Sequence, residues 1–324
     1  MMSKADFKAL TKREAARIIL DAKNPVVLMH VRPDADTAGT AAALCEVFKL
    51  LGKSASYACS DDIPKRLKFI LEGIPRAEFY KDCDIITVDI ASPKQAGEIL
   101  EKIPTPRLMI DHHALGEPFA DNYIRPDASS AAEALFDIIE VLINDGFLTL
   151  TKTVAAHFFT AIASDTGGFR FSSARPATFR LAARLIETGI DHAEISHKLF
   201  FSKSAEELRA EGFIAGKIKL FQGGRIAVAS HDRREREELG LCEGHFDCAI
   251  DTVRSIAGVE IALLVRETDK GDFRASIRST GKDVATVAKA FGGGGHVRAA
   301  GCSPIANSKE EAVGMILDEL KKLF

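Results

Sequence analysis

The sequence predicts an α/β protein with an N-terminal, doubly wound and mainly parallel sheet and a smaller C-terminal α/β domain. Three observations support this fold class. Short apolar runs alternate with helical patterns through the first part of the chain, which is typical of βαβ units. A second block of strands and helices begins after Gly223 and Gly224. The length of 324 residues is sufficient for about two domains.

The first part of the chain alternates between helix and strand. Thr11 and Glu14 have the spacing of a capping box and predict an opening helix. Short runs of β-branched and aliphatic residues predict buried strands at 25–29, 54–59, 84–89 and 107–110. The stretches between them predict helices at 37–51, 65–71 and 93–102.

From residue 129 the pattern becomes helical. Apolar residues at helical spacing predict helices over 129–143, 151–164, 176–187 and 192–200, and a helical connector over 204–220. Further on, we expect strands at 225–229, 260–266 and 273–278, and helices at 245–256, 284–291 and 309–323. The predicted organisation is therefore a first domain over 1–190, a connector over 191–222 and a second domain over 223–324.

Composition restricts the class of partner. A net charge of -3 argues against a broad basic surface for long nucleic acids. The chain has no Trp and only three Tyr, so it lacks the aromatic track expected of a long single-strand channel. Residues 1–23 resemble neither a signal peptide nor a membrane span, and six scattered cysteines suggest free thiols. We expect a cytoplasmic protein that does not associate with membranes.

Acidic and imidazole side chains follow three of the predicted strands. In open α/β sheets, ligands collect beyond the carboxyl ends of the strands, and the side chains expected there are His30, Asp34, Asp36, Asp89, Asp111, His112 and His113. Asp165 follows an apolar helix and could add a further carboxylate. A single Asp in such a place is usually a turn former or a helix cap, so the prediction rests on the whole set.

Such a cluster needs cations. Two carboxylates about 4 Å apart repel by roughly 4 kcal/mol at an effective dielectric constant near 20. Nitrogen and oxygen ligands without thiolate suit divalent ions, and the imidazoles favour Mn²⁺ over Mg²⁺, with Co²⁺ as a further alternative. The sequence therefore predicts a site for two divalent cations, with Asp89 placed to bridge them.

Glycines and arginines provide candidate anion-binding groups. Gly292, Gly293, Gly294 and Gly295, followed by His296, could form a backbone cradle for phosphate or could simply be a flexible turn. Strand alternation places Arg274 and Arg278 on the same face, and Arg298 lies near them in the sequence.

Two further candidates come from the first half of the chain. Arg170 follows Asp165 closely and is a candidate for substrate contact. Ser129 and Ser130 precede a predicted helix. They either cap that helix or lie where its N-terminus meets phosphate.

The motifs resemble those of a known family. HVRPDAD (30–36), VDIAS (88–92), IDHH (110–113) and SDTGGFRF (164–171) resemble, in order, the four motifs of the DHH phosphoesterases. FGGGGHVRAAGC (291–302) resembles the signature of the accompanying DHHA1 domain. Within this superfamily the chain is most similar to bacterial enzymes that act both as nanoRNases (oligoribonucleases) and as phosphatases on 3'-phosphoadenosine 5'-phosphate (pAp).

The resemblance implies roles for the candidate residues. One manganese ion would be held by His30, Asp34 and Asp89. The other would be held by Asp36, Asp89, His112 and Asp165. His113 would face the scissile phosphate, and Asp111 would orient an imidazole. The site would lie in a cleft between a DHH domain and a DHHA1 domain, and the second domain would bind the rest of the substrate.

The expected activity is manganese-dependent hydrolysis by a water activated by two metal ions. Its substrates would be short oligoribonucleotides, cleaved to 5'-mononucleotides, and pAp, cleaved to AMP and phosphate. Two alternatives stay open: a soluble phosphodiesterase of cyclic or linear dinucleotides, and a nucleotide sensor without catalytic activity. The sequence also leaves open a homodimer.

Overall fold

A five-stranded parallel sheet organises the first part of this computed structural model, which describes residues 7–78, 80–247 and 249–324 except for the side chain of His296. The strands are β1 (Val26–Leu28), β2 (Ser56–Ala58), β3 (Ile85–Val88), β4 (Leu108–Asp111) and β5 (Asn122–Ile124). Their order is β2-β1-β3-β4-β5, and each strand runs parallel to its neighbours. The predicted α/β class is confirmed.

Helices cover both faces of this sheet. The helices of this unit are α1 (Lys12–Asp21), α2 (Ala35–Leu50), α3 (Pro93–Ala96), α4 (Ala131–Asn144), α5 (Lys152–Asp165), α6 (Pro176–Ile186) and α7 (His192–Phe200), of which α6 and α7 pack on α5. Alternate strand residues point to opposite faces. Val27 and Ile86 belong to a core shared with α1, α2, α4 and α5, whereas Val26 and Ile85 pack with α3 on the other face. The central strands β1, β3 and β4 are therefore buried on both sides, as expected in a parallel sheet.

The sheet order creates a switch point between β1 and β3. The chain leaves β1 for β2 on one side and later returns to β3 on the other side. In doubly wound sheets of this order, the crevice beyond the carboxyl ends of the two strands at the switch point is where ligands bind. His30 follows β1 and Asp89 follows β3, so both residues lie at this crevice.

Several details of local structure differ from the prediction. The helix predicted at 65–71 is present as the 3-10 helix Lys65–Ile70. The helix predicted at 93–102 is divided at Gly97, whose backbone is left-handed with φ of 73°: α3 ends after one turn, and the 3-10 helix Gly97–Glu101 follows. A Cβ on Gly97 would lie only 2.5 Å from Val31 Cγ1. Strand β5 was not predicted, because Asn122–Ile124 begins with a polar residue and does not form an apolar run like those of β1, β3 and β4.

A second sheet organises the rest of the chain. Its strands are β6 (Lys219–Phe221), β7 (Ile226–His231), β8 (Ile261–Glu267), β9 (Phe273–Ser279), β10 (Gly294–His296) and β11 (Ala299–Cys302). Its order is β10-β11-β9-β8-β7-β6, with β7 and β8 parallel and the other neighbours antiparallel. The accompanying helices are α8 (Ala205–Gly216), α9 (Arg233–Glu238), α10 (Ala249–Arg254), α11 (Val284–Ala290) and α12 (Lys309–Lys321).

The chain forms two compact units that divide between Ser202 and Lys203, inside the predicted connector. The helical prediction over 204–220 was wrong at its end, because α8 stops at Gly216 and Lys219–Phe221 pairs with β7. No helix in the described ranges has the length and apolar character that a membrane crossing requires.

Close contact between α2 and α5 depends on Gly39. A Cβ built on Gly39 would lie 2.9 Å from Ala161 Cβ and 3.0 Å from the carbonyl oxygen of His157. These distances are too short for an unchanged helix pair. Because Asp36 lies in the first turn of α2 and Asp165 is the last residue of α5, this contact helps to set the separation of the two carboxylates.

We predict that Gly39→Ala lowers the free energy of unfolding by about 1 to 3 kcal/mol, because the added methyl group overpacks the α2–α5 contact. Gly212→Ala in α8 is the matched control, since no atom lies within 4 Å of its added Cβ. The control should be neutral or stabilising by up to about 1 kcal/mol through helix propensity. Urea unfolding measures both variants, and equal stability of the two would contradict the packing argument.

Candidate metal centre

The structure brings the predicted acidic and imidazole side chains of the first unit together. Three groups of them place their ligand atoms within 4.8 Å of one another. The groups are His30, Asp34 and Asp89; Asp36, His112 and Asp165; and Asp89, His112 and His113. They come from the ends of β1, β3 and β4 and from the ends of α2 and α5 that lie at the same edge.

The first group is built around His30. Its Nδ1 lies 2.8 Å from the carbonyl oxygen of Val31 and donates a hydrogen bond to it, which leaves Nε2 directed at carboxylates. Nε2 lies 3.4 Å from Asp89 Oδ2 and 3.7 Å from Asp34 Oδ1. Asp34 Oδ1 also caps α2 by accepting hydrogen bonds from the backbone of Asp36 and Thr37. The cap role and the predicted ligand role therefore fall on the same carboxylate.

The second group is built around His112. Its Nε2 lies 3.6 Å from Asp89 Oδ1, 3.6 Å from Asp165 Oδ2 and 4.0 Å from Asp36 Oδ2. Such separations are too long for good hydrogen bonds. They are close to the roughly 3.0 to 3.6 Å between neighbouring ligands of a cation whose bonds are about 2.1 Å long. The donor set therefore fits divalent cations.

Asp89 connects the two groups. Its side chain is only 5% exposed, and its backbone is left-handed with φ of 60°, which is uncommon for a residue other than glycine. One carboxylate oxygen faces His30 and the other faces His112. The latter, Oδ1, is buried without a hydrogen-bond partner in the described part of the chain. A buried, unpartnered carboxylate oxygen is costly unless a cation binds it.

Asp36 is held by a helix N-terminus. The backbone N–H of Ala131, at the start of α4, donates to Asp36 Oδ2 at 2.8 Å, and that of Ala132 donates to Oδ1 at 3.4 Å. The Thr40 hydroxyl donates to Oδ1 at 3.1 Å. The positive end of the α4 dipole favours the carboxylate form of Asp36. These contacts orient Asp36 towards His112.

His113 forms a pair with Asp111. Its Nδ1 donates to Asp111 Oδ1 at 2.8 Å and lies 3.6 Å from Asp89 Oδ1. Burial lowers the pKa of His113, but the Asp111 and Asp89 carboxylates outweigh this effect and raise it to about 9. The imidazole next to Asp111 is therefore His113, and without a bound cation its carboxylate neighbours favour the protonated ring.

Family models match both units of the chain. The DHH family N-terminal domain matches residues 24–162, and the DHHA1 domain matches residues 237–323. The chain belongs to the DHH phosphoesterases. The resemblance of the sequence motifs is thereby confirmed.

Similar proteins cover almost the whole of this DHH phosphoesterase. The bifunctional oligoribonuclease and PAP phosphatase NrnA of Thermus thermophilus is 28% identical over 322 residues, which is 96% of this chain and 93% of the relative. The protein of the same name from Bacillus subtilis is 25% identical over 295 residues, 90% of this chain and 93% of the relative. The crystal structure of an exopolyphosphatase-related protein from Bacteroides fragilis superposes with a TM-score of 0.86 at 25% identity, covering 96% of this chain and 95% of that one.

Ser129 belongs to a buried network around Glu133 in this DHH phosphoesterase. Its N–H and hydroxyl both donate to Glu133 Oε2, at 3.0 and 2.5 Å, and the Thr178 hydroxyl donates to the same oxygen at 2.8 Å. Ser130 is the residue that caps α4. The Ser129 hydroxyl thus has a partner in the core, and its predicted role at phosphate stays a prediction.

Sequence reasoning missed two residues that support the site, Thr40 and Glu133. The Ser-x-x-Glu spacing from Ser130 to Glu133 is the pattern of a capping box and could have identified Glu133. Thr40 lies one helical turn after Asp36, the spacing at which side chains on a helix meet.

Arg170 lies in the turn that follows Asp165. Its Nε donates to the carbonyl oxygen of Gly167 at 2.5 Å, and its guanidinium carbon lies 5.8 Å from the centre of the Phe200 ring. These contacts direct the exposed Arg170 side chain across the C-terminal end of α5.

In the second unit, Arg274 and Arg278 lie on one face of β9, as predicted, because they alternate with the buried residues Phe273, Ala275 and Ile277. Arg278 is paired in register with Ala299, and Arg298 immediately precedes that residue. The three arginines therefore lie on or beside neighbouring strands β9 and β11. Their role in substrate binding stays a prediction.

The glycine segment is part of a β-hairpin rather than a flexible turn. Gly294–His296 forms β10 and pairs with β11. A Cβ on Gly293 would lie 2.1 Å from the carbonyl oxygen of Gly301, and one on Gly295 would lie 2.4 Å from that of Ala299. Close approach of β11 thus explains these two glycines. Gly292 is left-handed, with φ of 68°. The side chain of His296 lies outside the described part of the chain.

The cluster carries protons when it holds no cation. Burial, partly offset by His112 and reinforced by Asp89, raises the pKa of Asp165 to about 7. Burial together with the neighbouring carboxylates raises the pKa of Asp36 well above its usual range. Burial lowers the pKa of His30, but Asp34 and Asp89 outweigh it and raise the value to about 11. Protons and cations therefore compete for the same atoms.

We predict that Mn²⁺ binding at pH 7 releases more than about one proton per chain, because carboxylic acid and imidazolium must both deprotonate to become ligands. Affinity for Mn²⁺ should rise as the pH increases through about 7, the pKa of Asp165. Isothermal titration calorimetry in buffers of different ionisation enthalpy measures the number of protons. A binding enthalpy that does not depend on the buffer would contradict this prediction.

We also predict that Thr40→Val weakens Mn²⁺ binding by about tenfold, because Asp36 loses a hydroxyl group that orients it. Thr160→Val is the matched control, since the hydroxyl of Thr160 donates to the carbonyl oxygen of Ala156 and not to a carboxylate. Titration followed by electron paramagnetic resonance of free Mn²⁺ compares the two variants. The same loss of affinity in both would show that Thr40 acts only through general packing.

Proposed function

We propose that this DHH phosphoesterase is a manganese-dependent enzyme that hydrolyses short oligoribonucleotides to 5'-mononucleotides and pAp to AMP and phosphate. The observation that carries the proposal is the Asp89 carboxylate, which directs one oxygen to each of two ligand groups. The names of the two NrnA relatives support these substrates.

Two cation positions follow from this arrangement. His30, Asp34 and Asp89 would hold one ion. Asp36, Asp89, His112 and Asp165 would hold the other. When bound, divalent cations stabilise negative charge on phosphoryl oxygens and lower the pKa of a coordinated water. Mixed nitrogen and oxygen donors without thiolate favour Mn²⁺ among the candidate metals, with Mg²⁺ or Co²⁺ as alternatives.

The remaining residues of the cluster act on the substrate. Asp111 fixes the orientation of the His113 ring through Nδ1, and its carboxylate favours the protonated form of that ring. The ring then places positive charge at the position where a phosphoryl oxygen gains negative charge during attack. Buried Asp111 cannot move without losing this bond, so the pair is preorganised. His113 is the proposed catalytic residue, and Asp111 positions it.

The second unit would bind the part of the substrate that does not react. Arg278 and Arg298 offer guanidinium groups suited to phosphate oxygens. Arg274 and the hairpin glycines Gly292–Gly295, with His296, are the further candidates. We also propose a cytoplasmic location, which the free thiols of Cys45, Cys59 and Cys83 support.

We predict that, on RNAs of two to five nucleotides and on pAp with Mn²⁺, Asp89→Asn reduces initial rates by at least about 1,000-fold, because loss of the bridging carboxylate removes several kcal/mol of cation-mediated stabilisation. Asn tolerates the left-handed backbone at this position. Asp62→Asn, at a fully exposed carboxylate, is the control and should retain the wild-type rate.

The same assay separates the alternatives. The assay also includes linear and cyclic dinucleotides as substrates and Mg²⁺ and Co²⁺ as metals. Preferential turnover of cyclic dinucleotides would show that these are the substrates, and not short RNAs and pAp. Binding of pAp without turnover in saturating Mn²⁺ would indicate a sensor. Full activity of Asp89→Asn would overturn the cation assignment.

A further inference from the structure

A pocket of about 520 Å³ opens among α5, α6 and α7 of the first unit. Phenylalanine rings form much of its wall, and they are Phe159, Phe169, Phe179, Phe200 and Phe201. The volume is within the range of small-molecule sites. No aromatic track is visible in the sequence, because these residues are contributed by three helices and a turn. Packing of the helices collects them around one cavity.

Three of the rings contact one another at a tilt. The ring centres of Phe159 and Phe169 are 5.6 Å apart with 47° between the ring planes, and those of Phe169 and Phe179 are 5.6 Å apart with 37° between the planes. Phe179 is 52% exposed and Phe201 is 74% exposed. Both therefore present ring surface to the pocket opening, where a ligand could cover apolar area that water now contacts.

The pocket adjoins the candidate metal centre through α5. Phe159 precedes Asp165 by six residues on this helix, which corresponds to roughly 9 Å along the helix axis. Gly168 and Arg170, which also line the pocket, lie in the turn directly after Asp165. A molecule with its phosphate at Asp165 could thus extend an aromatic group into the pocket.

Arg170 adds a polar group to the apolar wall. Its Nε is fixed by the carbonyl oxygen of Gly167, and the guanidinium lies near the Phe200 ring. A planar guanidinium held in this way can stack on a heterocycle or donate hydrogen bonds to its ring nitrogens. The combination of aromatic faces, one arginine and a neighbouring phosphate-binding centre matches the chemistry of a nucleotide.

We propose that this pocket binds the nucleobase of the nucleotide whose phosphate lies at the metal centre. The inference rests on the proposed function and specifies how the substrate is recognised. The metal centre binds any phosphate ester, whereas the phenylalanine pocket selects esters that carry a base. Stacking has little sequence preference because every base has a π-face, so the pocket suits short RNAs of mixed sequence.

The test compares AMP with ribose 5-phosphate, which has the same phosphate and sugar but no base. Calorimetric titration in saturating Mn²⁺ should show that wild-type protein binds AMP at least about fivefold more tightly, since base stacking on an aromatic residue contributes roughly 5- to 150-fold in affinity. Phe179→Leu should remove most of this difference, and Phe179→Tyr should retain it. Phe147→Leu is the control, because Phe147 is 54% exposed and lies outside the pocket.

The outcomes distinguish the pocket from the proposed function. One outcome is that RNA and pAp are not hydrolysed but AMP still binds more tightly than ribose 5-phosphate in a Phe179-dependent way. The proposed function would then be wrong, and the assignment of the pocket to a nucleobase would be supported. Equal affinities of the two ligands for wild-type protein, or an unchanged ratio in Phe179→Leu, would overturn the pocket assignment. A second copy of the chain is the competing occupant of the pocket, and sedimentation of the same variants tests for it. If Phe179→Leu abolishes a dimer and leaves the affinity ratio unchanged, a second copy covers this face. Thermal unfolding verifies that each variant is folded.

Discussion

Repulsion among four carboxylates, those of Asp34, Asp36, Asp89 and Asp165, is the constraint on which the first unit depends. The parallel sheet and the ends of α2 and α5 force them to one edge, around His30 and His112. Without cations the cluster must retain protons, as the raised pKa values of Asp36 and Asp165 show. The folded chain therefore bears an electrostatic cost that divalent cations relieve, and this cost is the physical origin of the expected affinity.

Several local features hold the carboxylates in place despite this repulsion. The Asp34 side chain caps the N-terminus of α2, and two backbone N–H groups at the N-terminus of α4 donate hydrogen bonds to Asp36. Both helix ends favour negative charge. Gly39 lets α5 approach α2, and Asp89, whose backbone is left-handed, directs one oxygen to each ligand group. Stability and site geometry are thus supplied by the same contacts.

The proposed hydrolysis and the proposed base recognition fall on two different regions of the first unit. Carboxylates and imidazoles at the strand ends suit the reacting phosphate, and the Asp111–His113 pair adds a protonated ring beside them. The proposed phenylalanine pocket lies further along α5 and suits a base. Because the turn from Asp165 to Arg170 joins the two regions, this short segment would couple recognition of the base to positioning of the phosphate.

Sequence alone determined the α/β class, most of the strands and the identity of the clustered acids and imidazoles, because apolar runs, turn residues and strand-end motifs are local signals. It could not show that Asp36 is held by α4, since the partner N–H of Ala131 is 95 residues away. The β10–β11 hairpin and the gathering of phenylalanines from α5, α6 and α7 were likewise decided only by tertiary structure. Both depend on which surfaces meet when helices and strands pack, and that information is not contained in any single segment.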